Sequence, residues 1–425
     1  MHVGKNMSIL IKDVWFKGNK KSVFIEGKHI KTIADEINET ADTVIDGKGK
    51  GLIPGMINGH GHAAMTLFRG YADDMPLELW LNTKVWPQEA KLTENDVYAG
   101  AKLACLEMIK SGTTAFMDMY WFINGTARAV QEMGLRAKLA HVIMDNFDER
   151  KREKCIEEVE NAYRNFAYQS DLIDFDLAPH ALYTVSKELL KWTAEFARKH
   201  HLLIQIHGAE TETEYNFCVE KYGLSPIRFF DSIGLLNPNF SIAHCVYLDE
   251  EEIDLLAKNQ VKVVYNVNSN MKLASGLDFK YQLMKEAGVT VCMGTDGCCS
   301  SNNLDMFEAA KHAALVQKGL HKNPELLPAD HAFDLISKNG GKLFEKNIGQ
   351  TKEGYLADVC LVDMNTPAFI PKLSYNLISN LIYSANGSCI DTVICNGKII
   401  MQNRKVANEQ DILDEAQAAA ERLFR

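Results

Sequence analysis

Two histidines one residue apart, His60 and His62 in NGHGH, can project from one face of a strand and bind a metal ion together, because side chains alternate across a strand. Alone, such a pair is weak, since two core or surface histidines produce it as readily. Of the 13 histidines, however, five (His60, His62, His180, His207 and His244) fall at or just past the ends of apolar, strand-like runs. Asp296 does the same after a Gly-Thr turn. Neutral imidazoles with a carboxylate suit Zn2+ or Fe2+, zinc being favoured, and three histidines plus one aspartate leave room for a water whose pKa the metal lowers toward ~7. The expected ligands of one divalent metal are His60, His62, His207 and Asp296. In His207-Gly-Ala-Glu210 a carboxylate follows a ligand by one short loop, which makes Glu210 the candidate proton shuttle. Glu212 and Glu214, in the same acidic run, read as solvated acids. His244 has three readings: a fourth ligand, a hydrogen-bond partner of the attacking water or a substrate oxygen, or a structural ring. The ligand count favours the second.

Such residues work together only if one scaffold brings the strand ends to one place. Eight β-rich runs, near 52–58, 113–119, 137–143, 175–178, 202–206, 240–243, 261–265 and 289–293, alternate with longer helical patterns. That alternation predicts an α/β chain folded as a (β/α)8, TIM-like barrel, whose active site lies at the C-terminal ends of the strands. Thr93 with Asp96 opens a capped helix, and Gly112 stands where it ends. Short strands over 8–51 and again beyond about 347, with Asn396-Gly397 as a hairpin turn, predict a small β-sandwich interrupted by the barrel. The expected division is 1–54 and 348–408 for the sandwich, 55–347 for the barrel and 409–425 for an amphipathic C-terminal helix.

A length of 425 residues suits a large barrel with a second module. No stretch approaches the ~20 apolar residues of a membrane span, and the N-terminus lacks the apolar segment of a signal peptide, so a cytoplasmic protein is expected. The ten cysteines are scattered through apolar runs and read as buried thiols. A net charge of −10 without a basic aromatic stripe argues against nucleic acid as a partner and is compatible with a homo-oligomer.

The segments GLIPGMINGHGHAAMTLFRGYADDMPLELWL, HGAETETE, IAHC, SNMKLASG and GTDGCCSSNNLDMF together resemble the adenosine-type deaminases of the amidohydrolase superfamily. These are the S-adenosylhomocysteine and methylthioadenosine deaminases and their triazine-hydrolase relatives. The likeness runs over nearly the whole chain. It implies the same ligands and shuttle, with His244 beside the metal water and Asp296 accepting a proton from that water. It further implies that Trp80 and Glu89 line a nucleoside pocket, Glu89 accepting ribose hydroxyls, while His180 reaches the purine and Ser300 helps close the site. The reaction implied is hydrolytic attack at C6 of adenine, yielding an inosine-type product and ammonia.

One departure bears on the substrate, a small purine nucleoside. Relatives that take homocysteine-bearing substrates are expected to carry an arginine at the end of the third strand to grip the carboxylate. Here His141 stands there, with Arg150 or Arg152 as substitutes, which favours adenosine, 5'-deoxyadenosine or methylthioadenosine over S-adenosylhomocysteine. The rivals are a guanine, other nucleobase or triazine hydrolase at the same metal site, a binuclear cyclic-amide hydrolase, and a noncatalytic binding protein. The binuclear site needs a lysine that DFDLAPH lacks, and a binding protein would have lost a ligand or the shuttle.

Overall fold

The computed structural model describes residues 7–425. Eight parallel strands form the barrel: β1 (Met56–His62), β2 (Thr113–Tyr120), β3 (Arg136–Ile143), β4 (Ile173–Pro179), β5 (Ile204–Gly208), β6 (Phe240–His244), β7 (Lys262–Tyr265) and β8 (Thr290–Met293). Each pairs with the next, and Asp296–Gly297, which continues β8, pairs back onto Gly61–His62 and closes the ring. Alternation divides each strand between two cores. Met117, Ala140, Val142, Val264 and Cys292 fill the barrel, plugged by Leu343 and Phe344. Leu139, Phe175, Ile206 and Ile242 face the helix layer. The helix Glu94–Lys110 carries the expected capping box of Thr93 and Asp96.

The first apolar run, expected as one strand over 52–58, is two. Lys50–Pro54 belongs to a second sheet and β1 starts at Met56. Gly55 separates them because the chain there passes directly over Thr114, whose Oγ1 would lie 2.2 Å from a Cβ. In the second sheet Lys50–Pro54 pairs antiparallel with Val359–Asp363, so N- and C-terminal strands share one core of Ile9, Val23, Ile25, Leu52, Val359 and Ile394. The hairpin between Ile390–Cys395 and Lys398–Met401 turns at Asn396 and Gly397, with φ of 51° and 73°, the pair of left-handed residues that a two-residue turn needs. The C-terminal helix Glu409–Leu423 lays Ala416, Ala419 and Leu423 against a cluster that includes Phe68, Trp80 and Val97. All ten cysteines are buried free thiols. Among the described residues, no helix is long and apolar enough to cross a membrane.

Arg136, at the start of β3, ties the barrel floor to the second sheet. Its Nε and Nη2 donate to both oxygens of Asp358 (3.0 and 3.3 Å) and its Nη1 donates to the Asp171 carbonyl (2.6 Å). Both side chains are essentially fully buried, so removing one strands the other's charge. Arg136→Ala should therefore cost about 3–5 kcal/mol, measured by denaturant unfolding. A loss under about 1 kcal/mol, the size of a surface pair, would show that water reaches the pair.

Candidate active site

His60 and His62 owe their inward direction to a bulge. Ile57 pairs with Ala115 and Asn58 with Phe116, but the next pair is Gly61 with Asp118. One extra residue in β1 reverses the alternation, since a one-residue shift exchanges the faces. Both rings thereby join the barrel face. His207 needs no such device, sitting two residues beyond the inward Gln205. Asp296 arrives on a left-handed backbone (φ 61°) just after Gly294, where a Cβ would lie 2.7 Å from the His60 carbonyl. His244 is also left-handed (φ 80°). Plain alternation after the outward Ile242 would turn its ring to the helices, and the reversed φ brings it to the mouth instead. Such conformations cost about 1–3 kcal/mol each and persist where the surroundings enforce them.

The ligand atoms of His60, His62, His207 and Asp296 all lie within 4.8 Å of one another. Each ring is held through Nδ1, which donates to Gln205 Oε1 (2.8 Å) from His60, to the Met119 carbonyl (2.7 Å) from His62 and to the His180 carbonyl (2.8 Å) from His207. Gln205 can only accept there, because its amide nitrogen donates to the Gly59 carbonyl (2.9 Å). With Nδ1 protonated, three Nε2 lone pairs converge, His60 and His207 Nε2 being 3.1 Å apart, and Asp296 Oδ1 stands 3.0 Å from His62 Nε2. Three imidazole lone pairs and a carboxylate are the donor set of a tetrahedral or five-coordinate divalent site, so the residues fit a metal ion.

The electrostatics ask for a cation. Burial, the largest single effect, opposes charge on His62, yet the hydrogen bond and charge of Asp296, the Met119 carbonyl and the charge of Asp118 together outweigh it and push it up to about 9. Burial also opposes charge on Asp296, but His60 and His62 hold its carboxyl well below the usual range. Burial drives His180 and His244 down to about 3. Glu210 is pushed well above the ordinary carboxylate range by burial and then by the charges of Asp296 and Glu214. Its Oε2 lies 3.7 Å from His244 Nε2.

One cavity gathers Trp80, Glu89, His180, Glu210, His244 and Ser300 beside His62, His207 and Asp296. Ser300 Oγ donates to Asp296 Oδ2 (3.2 Å) and receives a hydrogen bond from Ser269 (3.0 Å). His180 Nδ1 donates to the Thr184 hydroxyl (2.9 Å), whose own hydrogen goes to the Ala181 carbonyl, leaving the His180 Nε2 lone pair free. Glu89 is pushed by burial up to about 7.

Three expected substrate contacts do not line this cavity. His141 is on the outward face of β3, its ring 6.5 Å from Phe175, and borders an adjoining pocket that shares Glu89, Trp121 and Met144 with the cavity, while the inward Val142 lines the cavity itself. Arg150 and Arg152 begin the helix Glu149–Asn165, where Arg152 pairs with Glu149 (3.2 Å) and Glu188 (3.8 Å) and neither arginine lines the cavity. Glu214 is corrected in the other direction. It is 2% exposed, not solvated, and its Oε2 accepts the Glu210 backbone N–H (2.9 Å). Its signal was available in Thr211-x-x-Glu214, the spacing of a helix start that turns an acid back toward the preceding loop. Gln205 was legible only as a polar residue on the inward alternation of β5. Tyr183, Trp121 and Leu273, which also line the cavity, sit on loops and carried no such signal.

A family model described as the amidohydrolase family matches residues 52–400. The chain is 44% identical over 428 residues to a 5'-deoxyadenosine deaminase of Methanoregula boonei, covering 99% of this chain and 96% of that one. Among solved structures it is similar to a zinc-bound adenosine deaminase from Xanthomonas campestris (TM-score 0.91, 28% identity, 99% of both chains). An atrazine chlorohydrolase from Arthrobacter aurescens, complexed with zinc, shares the fold at 19% identity (TM-score 0.89, 97% of this chain and 100% of that one).

Proposed function

The chain belongs to the amidohydrolase family, and on that premise we propose that it hydrolytically deaminates an adenosine-type nucleoside with a small, uncharged 5' end, 5'-deoxyadenosine foremost. The observation that carries this reading is the single cavity that joins the His/Asp group and Glu210 to Trp80 and Glu89. Trp80 offers an apolar wall and Glu89 an acceptor for ribose hydroxyls, neither of which a bare base or a triazine would need.

His60, His62, His207 and Asp296 would hold one divalent cation, zinc by donor set. When bound, such an ion acts as a Lewis acid that brings the pKa of a nearby water toward ~7. The chain's own groups then manage the protons. As the water oxygen adds to C6, Glu210 takes one water proton and delivers it to N1. Asp296 accepts the other and passes it to the departing amine, so that the C6–N bond breaks with release of ammonia and leaves a C6 carbonyl. His244 steadies the oxygen while charge develops on it.

Among the residues lining the cavity there is no lysine or arginine, so an amino-acid carboxylate on the 5' end would be buried without a counter-charge. Ammonia release from 5'-deoxyadenosine, adenosine, methylthioadenosine, S-adenosylhomocysteine, guanine and cytosine should rank the first three highest in kcat/KM. Preference for S-adenosylhomocysteine would overturn the 5' specificity, and turnover of free bases alone would overturn the nucleoside reading.

Glu89 gives a pH signature. Its carboxyl is raised to about 7, so it is ionised and a full acceptor above that pH and loses this character as pH falls through it. KM for the nucleoside should rise below pH ~7. Glu89→Gln should raise KM about tenfold or more at pH 8 and abolish that dependence, since hydrogen bonds to charged groups are worth about 1.5–3 kcal/mol. An unchanged KM would remove Glu89 from the ribose site.

A further inference from the structure

His244 differs from the three histidines beside it in what meets its Nδ1. The other rings donate from Nδ1 to a carbonyl or amide oxygen. His244 Nδ1 instead faces an amide nitrogen, Asn270 Nδ2, at 3.0 Å. The same NH2 donates its second hydrogen to Ser275 Oγ (2.9 Å), and the Ser275 N–H bonds to the Asn270 backbone carbonyl (3.1 Å), which holds Ser275 beside the side chain. Asn270 is 1% exposed, so water does not compete for these contacts. It lies on the short helix Val267–Lys272 that follows β7, next to the Ser269 that supports Ser300.

We propose that Asn270 is a positioning residue that sets the tautomer of His244. A ring nitrogen that receives an N–H must present its lone pair, so the single proton of the neutral imidazole resides on Nε2. That proton points into the space bounded by Glu210 Oε2 (3.7 Å) and Asp296 Oδ2 (4.0 Å), where the attacking oxygen would stand. His244 is thereby a hydrogen-bond donor to that oxygen, and it is kept from becoming a fourth imidazole ligand because Nε2 has no lone pair to offer. The opposite hydrogen bonding on Nδ1 divides four neighbouring histidines into three ligands and one donor. This inference rests on the proposed hydrolysis but not on which nucleoside is used.

Two variants test it. In Asn270→Asp the carboxylate accepts from Nδ1 and reverses the tautomer with almost no change of shape, whereas Asn270→Ala removes the donor and leaves both tautomers accessible. The expected order is therefore the reverse of a packing role: kcat lowered about 10²- to 10³-fold in Asn270→Asp but only about tenfold in Asn270→Ala, on the best substrate of the panel, with KM within about twofold of wild type. A purely structural Asn270 predicts the near-isosteric Asp to be the milder change, and that ranking would overturn the proposal. The second readout does not involve turnover. Nitrogen chemical shifts of 15N-histidine-labelled, zinc-loaded protein, with His244 assigned by its loss in His244→Gln, should show protonated Nε2 in the wild type and protonated Nδ1 in Asn270→Asp. A wild-type ring protonated on Nδ1 would mean that Asn270 presents its carbonyl, and the proposal fails whatever the substrate.

Discussion

Replacing Glu210 by glutamine should lower kcat by about 10²- to 10⁴-fold, the usual worth of a positioned acid/base, with metal content and unfolding midpoint unchanged. Glu210 is 6% exposed, its carboxyl is raised well above the ordinary range, and it follows Ala209, whose left-handed φ of 52° turns the chain back over the mouth after His207. Glutamine keeps the size and one acceptor oxygen but cannot shuttle a proton between the water and the ring nitrogen. Because Glu210 is no part of the ligand group, metal should stay bound. Activity near wild type would place the shuttle on another residue, Asp296 being the remaining carboxylate beside the reacting atoms. The comparison is made by steady-state kinetics together with metal analysis of the same preparation.

Stripping the metal with a chelator should abolish ammonia release, and Zn2+ should restore it. Lewis-acid stabilisation is worth several kcal/mol, so the expected loss is at least about 10³-fold. Asp296→Asn should do nearly as much damage even when metal is supplied. It removes the carboxylate that faces His60 Nε2 (3.5 Å) and His62 Nε2 (3.0 Å), and with it the second proton acceptor. Gln205→Ala probes the same group from behind. Without the acceptor on His60 Nδ1 the ring is free to turn or change tautomer, and metal affinity should weaken about 10- to 100-fold by equilibrium competition with a chelator. Full activity after exhaustive chelation would refute a metal-assisted reaction, and unchanged affinity in Gln205→Ala would refute its orienting role.

Much of this was legible in the letters because barrel chemistry concentrates at strand ends. Apolar runs of strand length mark where each strand stops, and a histidine or aspartate just beyond is already close to the mouth. Strand ends single out His60, His62, His180, His207, Glu210, His244 and Asp296, the family likeness adds Trp80, Glu89 and Ser300, and the fold gathers all of them but His60 around one cavity, with His60 beside His62, His207 and Asp296. The substrate-side positions fared less evenly. His141, expected from the family likeness at the end of β3, falls on the outward face and borders the adjoining pocket, because one residue decides the face and the inward positions are Val142 and Met144. Glu214 was set aside as an acid among acids, although its place in the first turn of the helix Glu212–Tyr222 buries it under Glu210.

The sequence by itself determined the number and order of the strands, the residue types at their ends and hence the class of metal site, because periodicity and composition act locally along the chain. Only the tertiary structure decided which way those side chains point. The bulge between Asn58 and Gly61 reverses the face of His60 and His62, and a positive φ turns His244 inward. The contacts of Gln205, Met119, His180 and Asn270 with the ring nitrogens distribute the protons. These features depend on hydrogen bonds between residues up to 145 positions apart, as between His60 and Gln205, and no local pattern in the chain encodes a partner that folding alone brings within reach.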